Sequence, residues 1–410
     1  MTQSEDPGFQ IAWYNREVQR QAGIYIHIPF CERKCTYCNF NTTDYFEDLA
    51  GRYITAASRE IAYWGERHYE AAGSRMQVDT IFFGGGTPSI VAAHQLEELV
   101  LSCREAFEVV RDMEVTIEIN PATFLRRKVD GWLKAGITRA SVGVQSFLDR
   151  ELVSLSRTHS ADDARQTIAQ LREAGFNNIS LDLIAGLPEQ TLADWQLNLG
   201  NALALQPEHL SLYLLEVKDG TQLFSQIKRG QRPLPDDDLA AEMYRMICDK
   251  TQAAGYDHYE ISNFARVAEG DPAYPISSLR SKHNLKYWTG TPFYGIGCGA
   301  HSYDGIARWV NILRTETYIE KILEGGNAIA DRNELTEADR AAEALFMGLR
   351  LSEGISLSEF RVEYGVDVIE RYGHELPRLE DAGLIEMNGG RLALTTTGRL
   401  LSNEVFVSFV

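Results

Sequence analysis

Cysteine, positive charge and long apolar runs are all in short supply in this chain of 410 residues, and each shortage excludes something. The six cysteines are too few and too unevenly placed for a disulfide framework: Cys103, Cys248 and Cys298 are scattered, while Cys31, Cys35 and Cys38 crowd together. In a reducing compartment that pattern favours a metal or redox site. Lys and Arg number 40 against 58 Asp and Glu, and the net charge of −18 disfavours nucleic acid as the main partner. No stretch approaches the roughly 18 unbroken apolar residues of a membrane helix. No clear basic amphipathic helix stands out either, so peripheral docking at a membrane is left open. Segment 1–22 lacks a basic region followed by an apolar block, and the expected address is the cytoplasm. Repeats and low-complexity tracts are absent.

What is present is a strand–helix alternation. The runs 23–28, 79–85, 114–120, 139–145, 178–188 and 209–216 are rich in Val, Ile, Leu and Phe and predict strands, several of them buried on both faces. Amphipathic segments at 46–72, 90–108, 122–135, 160–174 and 190–204 predict helices between them. The alternation reads as repeated βαβ units, hence an α/β fold with a parallel sheet or barrel. Polar and glycine residues cluster at the carboxyl ends of these strands, where such folds place active sites. Residues 258–330 are dense in aromatics, Gly and His and read as a linking segment, with the main boundary near 325–335. Residues 331–410 read as helix, strand, a turn at Gly389–Gly390, strand and helix, a small mostly helical winged-helix-like domain.

The stretch "YIHIPFCERKCTYCNFNT" carries the chemistry. Three thiolates at this spacing can wrap one small inorganic cluster. A cubane iron–sulfur cluster takes four ligands, so three local thiols leave one iron open to a substrate or cofactor. Zinc, which prefers four protein ligands, is the rival, and no natural fourth ligand follows Cys38. A chance clustering on a loop is the bland alternative.

The C-x3-C-x2-C motif on a loop after the first strand resembles the radical S-adenosylmethionine (SAM) enzymes. The resemblance implies an incomplete (β/α)6 barrel spanning 23–257, with a [4Fe-4S] cluster on Cys31, Cys35 and Cys38. It further implies SAM at the open iron, cleaved by one electron to a 5′-deoxyadenosyl radical. "GGGTP", with Gly85, Gly86 and Thr87, resembles the family's glycine-rich strand end. Glu118, Gln145, Arg157 and Asp182 match positions that complete the cofactor pocket, and Tyr25 and Tyr37 flank the cluster. Together "YIHIPFC", "GGGTP", "DLIAGLP" and "GIGCGAHSY" resemble one branch, the oxygen-independent coproporphyrinogen III dehydrogenases and their heme-chaperone relatives, over nearly the whole chain.

Two departures favour the chaperones. The dehydrogenases carry a further cysteine two positions after the third, where this chain has Phe40, and a longer N-terminal arm. "HNLKYW" also matches the chaperones' heme-binding motif, implicating His283 with Tyr287 and Trp288. Cys298 and His301 are the nearby substitutes. The resemblance thus implies heme as a further cofactor and an apo-cytochrome or similar acceptor as partner. The runner-up is a true dehydrogenase acting on porphyrinogen propionates, and a zinc-stabilised interaction module is the third class.

Overall fold

The computed structural model describes residues 21–267 and 279–409. Residues 1–20 of the expected N-terminal extension therefore lie outside the described residues, as do 268–278 within the expected linking segment.

Six strands, β1 (Ala22–Ile28), β2 (Gln77–Gly85), β3 (Glu108–Ile119), β4 (Arg139–Gln145), β5 (Ile179–Ala185) and β6 (His209–Leu214), lie side by side in chain order. Every adjacent pair is parallel. Helices Glu47–Ala72, Ala93–Ala106, Arg126–Ala135, Ala161–Glu173 and Leu192–Ala204 make the crossovers. Two of them start on capping boxes, Ser160 with Asp163 and Thr191 with Asp194, which satisfy amides that a helix start leaves unpaired. These are the six strands and the interleaved helices that the alternation predicts. β3 is longer than expected, because Glu108 and Val109 already pair with Gln77 and Val78 before a register irregularity.

The period of two sorts each strand. Ile24, Ile26 and Ile28 of β1, Ala140, Val142 and Val144 of β4, and Ile179, Leu181 and Leu183 of β5 join the large core. Each such side chain contributes about 1.5–3 kcal/mol on burial. The alternate residues are polar: Tyr25 and His27, then Arg139, Ser141 and Gln145, then Ser180 and Asp182, then His209 and Ser211. The expectation of strands apolar on both faces therefore holds only for the helix-covered face. The other face lines a polar interior, which is why Ser141 meets Asp182 and Ser180 meets His209 across neighbouring strands.

The described residues of 258–330 add strands to the sheet on both of its sides. β7 (Tyr256–Glu260) and β8 (Asn263–Arg266) extend the sheet beyond β6 in antiparallel fashion. On the opposite side β9 (Phe293–Ile296) lies parallel to β1 and leads into antiparallel β10 (His301–Tyr303), β11 (Ala307–Asn311) and β12 (Ile329–Glu334). The twelve strands form one open sheet whose ends, β12 and β7, do not pair, so the barrel is partial. Several aromatics and aliphatics of this stretch pack in the same core, among them Tyr294, Ile296 and Trp309.

After β12 the chain builds a second hydrophobic cluster, including Leu345, Phe360, Leu376, Leu392 and Val405. Helices dominate, and Ile355–Ser356, Ile385–Asn388 and Arg391–Leu394 form a three-stranded sheet. Gly389 and Gly390, both at positive φ (58° and 77°), make the hairpin turn that only glycine takes without strain.

Candidate functional site

β1 ends at Ile28 and delivers the chain to the cysteine loop. Phe30–Cys31 pairs with Thr43–Asp44, which closes the loop at its base. Inside it the Cys38 amide donates to the Cys35 carbonyl (3.2 Å) and the Thr36 amide to Leu155 (3.1 Å). Tyr37 packs with Leu155, Ile184 and Leu187, anchoring the loop over β5. All three thiols are free and half-buried. Thr87 Oγ1 lies 3.4 Å from Cys31 Sγ, and Arg157 Nη1 donates to Cys35 Sγ at 3.6 Å. Burial pushes the Cys31 and Cys38 thiols up, and the neighbouring thiols push in the same direction. Thiols that feel one another need a cation or cluster between them to become thiolates together. Among the described residues no three His, Cys, Asp or Glu side chains gather around a point that suits a single metal ion, as a closed zinc site requires.

The glycine-rich end of β2 faces this loop. Gly85 has φ +109°, and a Cβ there would stand 2.4 Å from the His27 ring; one on Gly86 would stand 2.7 Å from the Pro29 carbonyl. The backbone is therefore bare by necessity. The Gly85 amide donates to Glu118 Oε2 (3.1 Å). Burial, and then the charge of Asp182, raises Glu118 to about 8. Asp182 is raised by burial too, and is held back by hydroxyls including Ser141, whose Oγ lies 3.1 Å from Oδ1. Gln145 sits at φ +65°, at the register shift that follows Gly143. A non-glycine residue there costs energy and re-aims the side chain, a device common at sites. Arg157 spans the gap: Nη2 donates to Asn120 Oδ1 (2.9 Å) and to the Gly143 carbonyl (2.8 Å), while Nη1 reaches Cys35. The Tyr25 hydroxyl donates to His27 Nδ1 (3.1 Å), and His27 Nε2–H donates to the Asn41 carbonyl (2.9 Å).

The structure thus brings Tyr25, Cys31, Cys35, Tyr37, Cys38, Gly85, Gly86, Thr87, Glu118, Gln145, Arg157 and Asp182 to one end of the parallel strands. Asn120 and Ser141 belong to the same constellation and were not singled out from the sequence. The period of two signals Ser141, since Arg139, Ser141, Gly143 and Gln145 must share a face.

His283, Tyr287 and Trp288 come from a separate helix that reaches this interior from the side, the His283 ring 6.4 Å from that of Tyr25. The helix Lys282–Trp288 starts on Ser281, and the Lys282 and His283 amides donate to the Glu114 carboxylate (3.3 and 3.2 Å). It packs against β1 and β2 near their amino-terminal halves, where a Cβ on Gly23 would collide with Lys286. His283 is wholly buried and stacks on Phe82 (5.2 Å). Its Nδ1 pairs with Thr80 Oγ1 (2.8 Å) and its Nε2 with the Tyr287 hydroxyl (3.0 Å). Burial, aided by Lys286 and Arg139, lowers it to about 3. The ring is neutral, yet neither nitrogen is free in this conformation. Trp288 lies under the Arg350 guanidinium (4.3 Å to the ring). Of the two substitutes, Cys298 is buried between Asn41 and Thr315, while His301 is exposed.

A three-thiol loop after the first strand of a partial parallel barrel, facing a bare glycine strand end, defines the radical SAM class. The Radical SAM superfamily model matches residues 25–198, and the HemN C-terminal domain model matches 335–401. Within that class the chain belongs to the heme chaperone HemW family. It is 36% identical to the heme chaperone HemW of Bacillus subtilis over 94% of this chain and 98% of that protein. It is 32% identical to the bovine mitochondrial radical S-adenosyl methionine domain-containing protein 1, over 95% of this chain and 88% of that one. Among solved structures, the coproporphyrinogen III oxidase HemN of Escherichia coli superposes with a TM-score of 0.81 at 23% identity, covering 97% of this chain and 92% of that one, which shows the shared fold.

Proposed function

We propose that this chain holds a [4Fe-4S] cluster and SAM at the carboxyl end of its barrel and acts as a heme chaperone, passing heme to apo-cytochromes or other heme-accepting proteins. The observation that carries the cofactor half is the donor set: three mutually interacting thiols and no fourth, beside a glycine backbone stripped of side chains. These residues fit the group. Cys31, Cys35 and Cys38 would hold three irons. Gly85, Gly86 and Thr87 offer backbone at close range, with Glu118, Gln145, Asp182, Tyr25 and Tyr37 around it. When bound, the pair supplies a one-electron cleavage of the cofactor's sulfonium. The chain's own contribution is to position and to keep charge in hand. Arg157 ties Cys35 to the strand ends, and Glu118, largely protonated at pH 7, can donate as well as accept a hydrogen bond.

The heme half rests on family membership and on "HNLKYW". Ligation by His283 requires the ring to leave Thr80 and Tyr287; exposed His301 is the imidazole that needs no such move. Phe40, 60% exposed, stands where the dehydrogenase branch has cysteine, and the reading predicts no turnover of coproporphyrinogen III. Anaerobic reconstitution is the test. About four irons per chain are expected, lost in Cys31→Ala, Cys35→Ala or Cys38→Ala and kept in Cys103→Ala. Heme titration should then add a Soret band to the cluster absorbance. Zinc in place of iron removes the proposal, and multiple turnovers to protoporphyrinogen IX promote the dehydrogenase. Comparison of His283→Ala with His301→Ala identifies the ligand by which one loses the Soret band.

A further inference from the structure

Below the carboxylates of the candidate site lies a charge that the cofactor assignments do not use. Arg139 opens β4 and faces the polar interior, paired in register with Thr116 of β3. It is 2% exposed, among the largest fully enclosed side chains of the molecule. Among the described residues it makes neither a hydrogen bond nor an ion pair, and its Nε is enclosed without a partner. The Thr116 hydroxyl beside it is likewise buried and unpartnered. The two orphans are neighbours on adjacent strands and point into the same interior.

Other buried charges among the described residues have partners on at least one atom. Glu208 meets Arg172 and Arg266, and Glu60 accepts from Gly297, Asn311 and Tyr318. Arg139 is the contrast. A guanidinium does not shed its proton inside a protein, so it cannot escape the cost of burial by becoming neutral. Register places it: Arg139 pairs with Thr116, one step of the pleat below Ser141 and Glu118, and its charge lowers Glu118, Asp182, His209 and His283. Toward the thiol loop Tyr25, Phe82, Glu118, Gly143 and Asp182 are largely but not fully buried, whereas Thr116, His209 and His283 are closed. The interior is thus a funnel only in the sense that it is more closed at Arg139 and Thr116, its floor, than at the cofactor end.

We propose that this floor is a carboxylate-binding subsite: a small molecule carrying a carboxylate enters the funnel and places that group on the Arg139 guanidinium and the Thr116 hydroxyl. A planar guanidinium suits a carboxylate in a bidentate pair, and a hydroxyl donor beside it supplies a further bond. His209 and His283, lowered by burial, add no charge, while toward the thiol loop stand Glu118 and Asp182, both raised by burial, and the Arg157 guanidinium on the Gly143 carbonyl. The chain would then take a small-molecule ligand in its barrel in addition to any heme, with the part distal to the carboxylate nearest the thiol loop. The inference goes beyond the chaperone reading and does not depend on it, since no thiol contributes to the subsite.

The carboxylate has two chemically plausible carriers, a flexible aliphatic acid or a tetrapyrrole propionate, and the probes separate them. Full-length protein, with and without the cluster, is titrated with glutarate, with mesoporphyrin IX and with mesoporphyrin IX dimethyl ester, and binding is followed by calorimetry. One free acid should bind saturably and the ester at least about 10-fold more weakly. Arg139→Met should weaken that acid by about 10-fold or more, and Arg139→Lys by less, because the charge is kept and the fork lost. In ligand-free protein Arg139→Met should leave the unfolding temperature unchanged or raise it, since the replacement removes an unpaired buried charge. Glutarate binding lost in Arg139→Met assigns an aliphatic acid, and mesoporphyrin binding lost there assigns a propionate. The proposal is overturned if neither acid binds, if the ester binds as well as the acid, or if Arg139→Met and Arg139→Lys bind like the wild type. Failure of iron incorporation in the same preparations would count against the cluster alone.

Discussion

Glu118 shows how one residue's environment decides its chemistry. From the sequence it is a strand-end carboxylate; in the structure burial and Asp182 raise it to about 8. The consequence for stability follows from linkage. A carboxyl whose folded value lies above its ordinary one binds more protons folded than unfolded, so it favours the folded state at low pH and loses that advantage as pH rises. The window runs from about 4.5, the ordinary value, to about 8. Thermal unfolding followed across pH 5–8 should therefore show a fall in stability with rising pH, and Glu118→Gln should flatten it. An unchanged slope in the variant would assign the effect to another group, with Asp182 first in line.

Elements are tied by a few buried polar knots, and the largest is built on the long helix Glu47–Ala72. Glu60 accepts from the Gly297 amide (2.8 Å), from Asn311 Nδ2 (2.7 Å) and from the Tyr318 hydroxyl (2.7 Å). One carboxylate thereby joins a crossover helix to the turn after β9, to β11 and to helix Thr315–Leu323. Glu60→Ala leaves the Gly297 amide and the Tyr318 hydroxyl unpaired and strips Asn311 Nδ2 of one of its acceptors, and each unpaired buried group costs about 1–3 kcal/mol. A destabilisation of about 3–5 kcal/mol in denaturant titrations is expected. Because the knot holds β9 against β1, the same change should also loosen the "GIGCGAHSY" segment, read as faster amide exchange at 295–303. A loss under 1 kcal/mol would mean that water replaces the carboxylate.

At the scale of the molecule, two cores must stay in register. Arg350, just past helix Glu337–Gly348, covers the Trp288 ring and lies 3.9 Å from buried Glu260, while the Ser352 amide donates to the Tyr259 carbonyl (3.0 Å). A buried carboxylate stripped of its cation is costly, and the desolvated cation–π contact adds to it. Arg350→Ala should lower stability by about 2–4 kcal/mol and open the junction near residue 335 to limited proteolysis. Proteolysis at the wild-type rate would show that the two hydrophobic clusters dock without this contact. No helix among the described residues is long and apolar enough to cross a membrane.

The fold's parallel half was legible because local rules set it. Period-two apolar runs separated by amphipathic helices admit few topologies, and right-handed crossovers then order six strands. The thiol triad was legible for the same reason, since its members are close in sequence. The strands within 258–330 were not legible because their partners, β1, β6 and the helix around Glu60, are distant in sequence, and short strands rich in glycine carry a weak local signal. "HNLKYW" was legible as a motif, while the burial of His283 between Thr80 and Tyr287 was not. The sequence by itself determined which residues alternate, where helices start and which three thiols share a loop, because those depend on neighbours within a few positions. Only the tertiary structure decided what faces what: that Arg157 reaches Cys35, that Glu118 sits beside Asp182 and becomes a weak acid, and that Arg139 is left enclosed without a partner. Each of those depends on charges and donors from strands far apart in the chain, brought close by the curvature of one sheet.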